Sequence, residues 1–406
     1  MIATWTDIDW GLVLELTLKA FFGLDAVVFI IAGLGLNVQF GYAGLLNFGQ
    51  AAFMAAGAYG LGMSTYYWDV SWWWGIAFGV LYAAGLAIIV GVPTLRLRAD
   101  YLAIVTIALA ELVRLVVRSV THKEKFGGSD GLKGFSSGFQ DLNPVDIPGN
   151  QYGVGPLQAQ GLMRVVLFAV WIGVCVGVAV AAVRALAKRR GMTPTARRVA
   201  VPLATAVLLA VLLVLFDNFS YLGTEVWVLT VGWSLVAIFG VFVWGLMRSP
   251  WGRVLKGIRE DEDAVRSLGK NVFGYKMSAL IIGAVIGTFA GMVNALRTAN
   301  VQPDNYSRAI TFFVLTALVL GGVAKVMGSI IGPMLYWALL AFTDALLSEA
   351  SDDSGRVKVF GRLVLRDSSA RGQFRLMLVG IGLMLLMIFR PQGLFGNRKE
   401  MALDGR

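Results

Sequence analysis

Trp74–Pro93 reads WGIAFGVLYAAGLAIIVGVP, an unbroken apolar run of 20 residues with no charge. A helix of about 20 apolar residues crosses the hydrocarbon core of a bilayer, so this run decides the class of fold. Runs of the same kind recur at Met163–Val183, Val226–Met247 and Phe374–Phe389. They are continuous, unlike the alternating segments of about ten residues that build membrane β-barrels. The expected fold is therefore an all-α polytopic membrane protein. Of the 406 residues, 57% are hydrophobic and 15% charged. The 49 glycines fit, because helices in lipid pack through small residues that let backbones approach closely.

About eleven spans (10–11) are expected. They lie near 20–38, 50–66, 74–93, 101–118, 163–183, 199–216, 226–247, 276–297, 309–324, 328–347 and 374–390. Residues 5–19 read as an interfacial or partial helix, and no removable signal peptide is expected. Loops 94–100, 184–198 and 248–276, with Lys325 and the tail from Arg390, hold 20 Lys and Arg; the alternate loops hold 10. Positive charge is retained on the cytoplasmic side, which places the N-terminus outside and the C-terminus inside. The expected organisation is one transmembrane domain over 1–390. It has a cytoplasmic segment at 249–275, external loops at 119–162 and 348–373, and a cytoplasmic tail at 391–406. The alternation of Arg356–Arg366 around Gly361 predicts a small β-hairpin within the second loop. Trp72, Trp73 and Trp74 read as an interfacial belt.

Two stretches predict interrupted helices. In Val38–Gly60, Gly41, Gly44 and Gly49 surround Asn47 and Gln50; in Leu320–Pro333, Gly321, Gly322, Gly328 and Gly332 precede a proline. Unwound backbone at membrane depth is tolerated where it is buried in protein or lines a water-filled path. Gly41, Gly44, Asn47, Gln50, Gly321 and Gly322 are thus candidates for a substrate path, and tight hairpins packed through glycine are the other reading. Glu111 and Arg114, three residues apart in an apolar span, read first as a structural ion pair, with Glu111 as a path-lining group the alternative. Asp100 is read as the N-cap of that span.

The densest charge lies in Trp251–Asn271, WGRVLKGIREDEDAVRSLGKN. Ser249-Pro250 is a helix start signal and Gly269 a stop. Val254, Ile258, Val265 and Leu268 share one arc of a helical wheel. Lys256–Glu260, Arg259–Asp263 and Glu262–Arg266 stand at ion-pair spacing. One helix, or two bent near Arg259, is expected on the cytoplasmic surface. The four consecutive acids Glu260–Asp263 would repel anionic headgroups, which favours docking of a protein partner over a lipid surface.

Catalytic and metal chemistry find little support. Cys175 and His122 are single and read as an apolar packing residue and a loop residue. Gly269-Lys270 is followed by Asn271, and Ala264 precedes it by five, so the phosphate-binding G-x-x-x-x-G-K-[ST] pattern is absent. No enzyme activity, metal or bound cofactor is expected of the chain. Its basic tracts lack the aromatic interleaving of a nucleic-acid surface.

The segment resembles the cytoplasmic coupling region of branched-chain amino acid ABC transporter permeases of the LivM type. Their pattern G-R-x-x-x-A-I-R-[ED]-[DN]-E, A-x-x-L-G, Y-K falls on Gly252, Arg253, Ile258, Arg259, Glu260, Asp261, Glu262, Leu268, Gly269, Tyr275 and Lys276. Gly257 and Val265 stand where alanine is usual. LNVQFGYAGLLNFGQAAFMAAGAY, YLAIVTIALAELVRLVVRS followed by GGSDGLKG, LVLGGVAKVMGSIIGP and LLMIFRPQGLFG resemble the same family in the same order. In LVLGGVAKVMGSIIGP, Ala324-Lys325 replaces a more usual small or apolar pair. The resemblance implies a bacterial inner-membrane importer. It would comprise this chain and a sister permease, two cytoplasmic ATPases that bind ATP and Mg, and an external solute-binding protein. It also implies that the surface helix Trp251–Gly269 is the joint gripped by an ATPase. A urea or amide importer of the same build remains an alternative, and a stand-alone secondary transporter is the alternative from another class.

Overall fold

The computed structural model describes residues 9–67, 71–96, 99–135, 139, 225–349, 357–359, 363–365, 368–390 and 393–394. The chain divides into two compact units, Met1–Phe139 with Val228–Arg406, and Gln140–Trp227. The second lies almost wholly outside the described residues. So do the expected spans 163–183 and 199–216, Cys175, most of loop 119–162 and most of the tail.

The first unit is helical. Helix α1 (Trp10–Phe22) starts on Asp9, whose Oδ1 accepts from the Gly11 and Leu12 amides at 2.9 and 3.2 Å. It therefore extends the partial helix expected at 5–19. Gly23 is extended and separates it from α2 (Leu24–Leu36), which continues as a π turn through Asn37–Tyr42. Then follow α3 (Gln50–Tyr67), α4 (Trp72–Thr94) and α5 (Ala99–Arg118). Because α5 starts at Ala99, Asp100 lies in its first turn and is not its N-cap. After residues 119–224 come α6 (Glu225–Arg248), α7 (Pro250–Glu260), α8 (Glu262–Ser267) and α9 (Val272–Thr298). Helices α10 (Arg308–Gly321), α11 (Val326–Glu349) and α12 (Ser368–Phe389) complete the order. Five helical stretches among the described residues are long and apolar enough to cross a membrane: Trp10–Tyr42, Trp72–Thr94, Trp227–Arg248, Val272–Thr298 and Val326–Glu349.

Helix α2 is buried from Leu24 to Leu36 apart from Asp25, which is why it is apolar on every face. It packs against α9 and α11, while α3 packs against α4 and α9. The contact with α9 rests on Gly283, Gly287 and Gly291, four residues apart on one face. A Cβ there would fall 2.5 Å from the Gly35 carbonyl, 2.1 Å from Gln50 Nε2 and 1.9 Å from the Met54 carbonyl. This ridge is the small-residue packing that replaces hydrophobic drive in lipid. At the far end of α9, Arg297 pairs with Asp25 of α2, with Nη2 and Oδ2 2.7 Å apart.

Beyond α9 the backbone turns through Ala299 (φ 48°) into strand β2 (Asn300–Val301), which pairs antiparallel with β1 (Leu132–Lys133). Tyr59 donates to the Val301 carbonyl at 3.3 Å, and the buried Tyr306 donates to the Gly291 carbonyl at 3.2 Å. Burial holds the Tyr306 hydroxyl well above the ordinary phenol range, so it remains a donor. Within the alternation at 356–366, β3 (Val357–Val359) and β4 (Leu363–Leu365) pair antiparallel, with Val357 opposite Leu365. At the start of α4, Trp73 and Trp74 are exposed and Trp72 stacks on Trp73.

Candidate functional site

The charged segment forms two helices, and local chemistry explains where each begins and ends. Ser249 Oγ accepts from the Gly252 amide at 3.4 Å, and Pro250 occupies the first turn of α7. Asp261 leaves helical geometry (φ −153°, ψ 105°) and its Oδ1 accepts from the Ala264 amide at 3.0 Å, capping α8. The bend is thus at Asp261, two residues beyond Arg259. Gly269 (φ +75°) ends α8: its amide donates to the Arg266 carbonyl at 3.0 Å, and the Lys270 amide to the Val265 carbonyl at 3.4 Å. These two bonds form a Schellman cap, which needs the left-handed residue that glycine supplies.

The bend corrects the expected apolar stripe. Gly252, Leu255 and Ile258 form the buried face of α7, and Val254 and Val265 are half-buried. Leu268 is 78% exposed, because the extended Asp261 resets the helical phase and turns α8 outward. Two expected ion pairs are corrected with it. Lys256 lies over the Tyr42 ring, 5.7 Å from its centroid, in place of Glu260. Arg259 donates from Nη1 to the Gly41 carbonyl in place of Asp263. The Glu262–Arg266 pair forms at 3.0 Å; Arg266 also meets Asp263 at 3.1 Å, and Glu262 also meets Lys276 at the start of α9. Arg253 and Glu260 are exposed.

Arg259 ties this helix pair to the first glycine-rich stretch. That stretch runs as a π turn to Tyr42, leaves helical structure over 44–49, and resumes as α3 at Gln50. Gly44 (φ +70°) lies under the Arg259 stem; a Cβ there would sit 3.2 Å from Arg259 Cγ. The second stretch breaks between α10 and α11, over 322–325, and Pro333 lies inside α11. At this break Gly321 meets Gly328, where a Cβ would fall 1.9 Å from the Gly328 carbonyl, and Gly322 has φ 113°. Ala324 is left-handed (φ 61°), a conformation that costs an ordinary residue about 1 kcal/mol.

Asn37 joins the two breaks. Its Oδ1 accepts from the Ala324 amide at 2.9 Å, and its Nδ2 donates to the Lys325 carbonyl at 3.2 Å. Beside it, Gln39 donates to the Leu280 carbonyl at 2.9 Å and accepts from Asn47 Nδ2, while Asn47 Oδ1 accepts from the Gly49 amide at 2.8 Å. Gln50 Nε2 reaches the Gly283 carbonyl at 3.3 Å, and its Oε1 is buried with no hydrogen-bond partner. All four amides are at most 1% exposed. Gly41, Gly44, Asn47, Gln50, Arg259, Gly321 and Gly322 therefore belong to one connected region. Asn37 and Gln39 were missed from the sequence. Their signal was two amides two residues apart in an apolar run, just before the glycines.

Glu111 is engaged elsewhere. It pairs with Arg114, which also meets Asp304 at 2.8 Å, and Arg118 meets the same Asp304 at 3.2 Å. The geometry is that of an ion-pair network tying α5 to the α9–α10 connection. Glu111→Gln leaves Arg114 bonded to Asp304, so thermal unfolding of the purified variant should show a loss of at most about 1 kcal/mol in stability. A larger loss would mean that the network depends on the Glu111 carboxylate.

No cluster of metal-ligating side chains occurs among the described residues. A family model described as the branched-chain amino acid transport system permease component matches residues 20–145 and 148–388. The high-affinity branched-chain amino acid transport system permease protein LivM of Escherichia coli is 29% identical over 373 residues, 91% of this chain and 68% of that protein. The protein of the same name from Salmonella typhimurium gives the same identity and coverage. A probable LivM permease of Methanocaldococcus jannaschii is 26% identical over 154 residues, 38% of this chain and 41% of that protein. No solved structure matches the chain. The family match covers nearly the whole sequence, including both glycine-rich breaks and the capped helix pair between spans, and the chain belongs to the branched-chain amino acid transport system permease family.

Proposed function

We propose that the chain is the transmembrane permease subunit of a bacterial ABC importer. With a sister permease it forms the path for branched-chain or related hydrophobic amino acids across the inner membrane. Two partner ATPases bind and hydrolyse ATP, and an external solute-binding protein delivers the substrate. The observation that carries this reading is the family match over residues 20–145 and 148–388, which embraces the spans and the α7–α8 pair together. The distribution of Lys and Arg supports an outside N-terminus and an inside C-terminus. One permease domain then covers 1–390, with external loops at 119–162 and 348–373 and a tail at 391–406.

In this reading α7–α8, within 249–275, is the ATPase-coupling segment, carried by Gly252, Arg253, Ile258, Arg259, Glu260, Asp261, Glu262, Leu268 and Gly269. Helix α7 keeps its apolar face on the permease, and α8 presents charge around the exposed Leu268. An exposed leucine ringed by ions suits a partly apolar groove. Leu268→Asp should lower recovery of the ATPase with the permease about tenfold, the effect of removing one buried anchor; unchanged recovery would place the grip elsewhere. The two breaks would border the substrate path, with Gln50 Oε1 the buried acceptor free to meet an ammonium group.

The test is uptake into proteoliposomes holding all the subunits. ATP-dependent accumulation of leucine, isoleucine or valine is expected. Accumulation of urea or short amides alone would redirect the substrate assignment. Transport by this chain without ATPases would overturn the importer reading.

A further inference from the structure

The family reading leaves open how a push at the coupling helices reaches two breaks that lie far apart in the chain. We infer that Asn37 is a positioning residue that clasps the two glycine-rich breaks into one moving body, which Arg259 ties to helix α7. This inference rests on the coupling role proposed for α7–α8.

Three observations carry it. First, the Asn37 amide spends both its ends on the opposite break: Oδ1 on the Ala324 amide and Nδ2 on the Lys325 carbonyl, 287 and 288 residues away. The Ala324 amide lies where α10 has ended and α11 has not begun, and the Lys325 carbonyl also accepts from the Ser329 amide at 3.2 Å as α11 starts, so the bracket grips the break at the root of that helix. Second, Asn37 stands one turn before Gly41, whose carbonyl accepts from Arg259. A Cβ on Gly41 would fall 1.9 Å from Asn37 Oδ1 and 2.8 Å from the Ala324 amide, so first break, clasp and second break are in direct contact. Third, Ala324 is held left-handed, a state that persists where its surroundings over-determine it. The far side of the same break is pinned as well. The Leu394 amide donates to the Leu320 carbonyl at 3.0 Å, and Gly393 packs against Gly322.

A displacement of α7 therefore pulls the Gly41 carbonyl, and the Asn37 bracket carries the second break with it. Without the bracket the first break would still follow α7, but the second would be free to lag. Asn47 and Gln39 bond each other, the Gly49 amide and the Leu280 carbonyl of α9, and do not cross between the breaks.

The experiment uses the complete importer, with Cys175→Ser to remove the native thiol and nitroxide labels at Leu46→Cys and Val323→Cys, both half-buried beside the breaks. With Asn37 intact, the label separation should stay single and narrow, with and without ATP. Asn37→Ser should broaden it even without nucleotide, and leucine carried per ATP should fall about tenfold while stimulated ATP hydrolysis persists. Asn37→Asp keeps the acceptor for Ala324 and should give an intermediate loss. Ala324→Gly, which relaxes the strained residue, should restore part of the Asn37→Ser loss. An unchanged label separation and an unchanged ratio in Asn37→Ser would overturn the clasp. So would failure of both Asn37 variants to assemble, which would assign the residue to folding. Failure of the coupling role shows differently: Arg259→Glu would leave leucine carried per ATP unchanged, whatever Asn37→Ser does to the label separation at rest.

Discussion

Arg259→Glu is expected to separate ATP hydrolysis from transport. The substitution removes the donor to the Gly41 carbonyl and sets a carboxylate against that carbonyl and the Gly44 backbone beneath the side chain. The buried face of α7, with Leu255 and Ile258, is untouched, so the helix should stay seated. Leucine carried per ATP should fall about 5- to 150-fold, the range of a coupling free energy of about 1–3 kcal/mol. Glu260→Arg alters the neighbouring exposed face and should instead weaken the response of the ATPases. The paired reversal keeps the net charge of the segment, so its effect would report on position and not on bulk electrostatics. Measured in the reconstituted importer, a normal transport ratio in Arg259→Glu would remove this residue from the coupling route.

Gly291→Leu should have the largest effect on the fold itself. A Cβ at this position would lie 1.9 Å from the Met54 carbonyl oxygen and 2.5 Å from its carbon. Those are backbone atoms of α3, so no rotamer change relieves the contact, and α3 and α9 must separate. Overpacking of a tight site costs about 1–3 kcal/mol and more when backbone must move. The same shift disturbs Tyr306, whose hydroxyl bonds the Gly291 carbonyl. The expected result is loss of monodisperse permease from detergent extracts and a melting temperature lowered by several degrees. Gly85→Ala is the control: nothing lies within 4 Å of a Cβ there, and alanine suits a helix better by about 1 kcal/mol. Equal behaviour of the two variants would mean that the α9 ridge is not a tight contact.

These two expectations depend on features of different legibility. The glycine spacing of α9 is visible in the sequence, but its partners are not: Gly283, Gly287 and Gly291 meet α2, Gln50 and α3 respectively. For Arg259 the sequence offered Asp263 at helical spacing, and the local rule failed because Asp261 breaks the helix between them. Leu268 was misplaced for the same reason. One extended residue changes the direction of every side chain that follows it.

Legible in the sequence alone were the membrane-spanning class, the start of α7 and the end of α8, the need for interruption near the two glycine clusters, and the strand pairing within 357–365. Each of these follows from residues within a few positions of one another. Apolar length decides a span, Ser249-Pro250 and Gly269 cap helices through bonds reaching three to five residues, and alternation decides a short strand pair. Only the tertiary structure decided what Arg259, Asn37 and Gln39 bond to, since their partners stand 218, 287 and 241 residues away. A buried amide must find a partner wherever the packed backbone leaves one unused. Which carbonyls and amides are left unused is fixed by how the helices end against each other, and no local pattern encodes that.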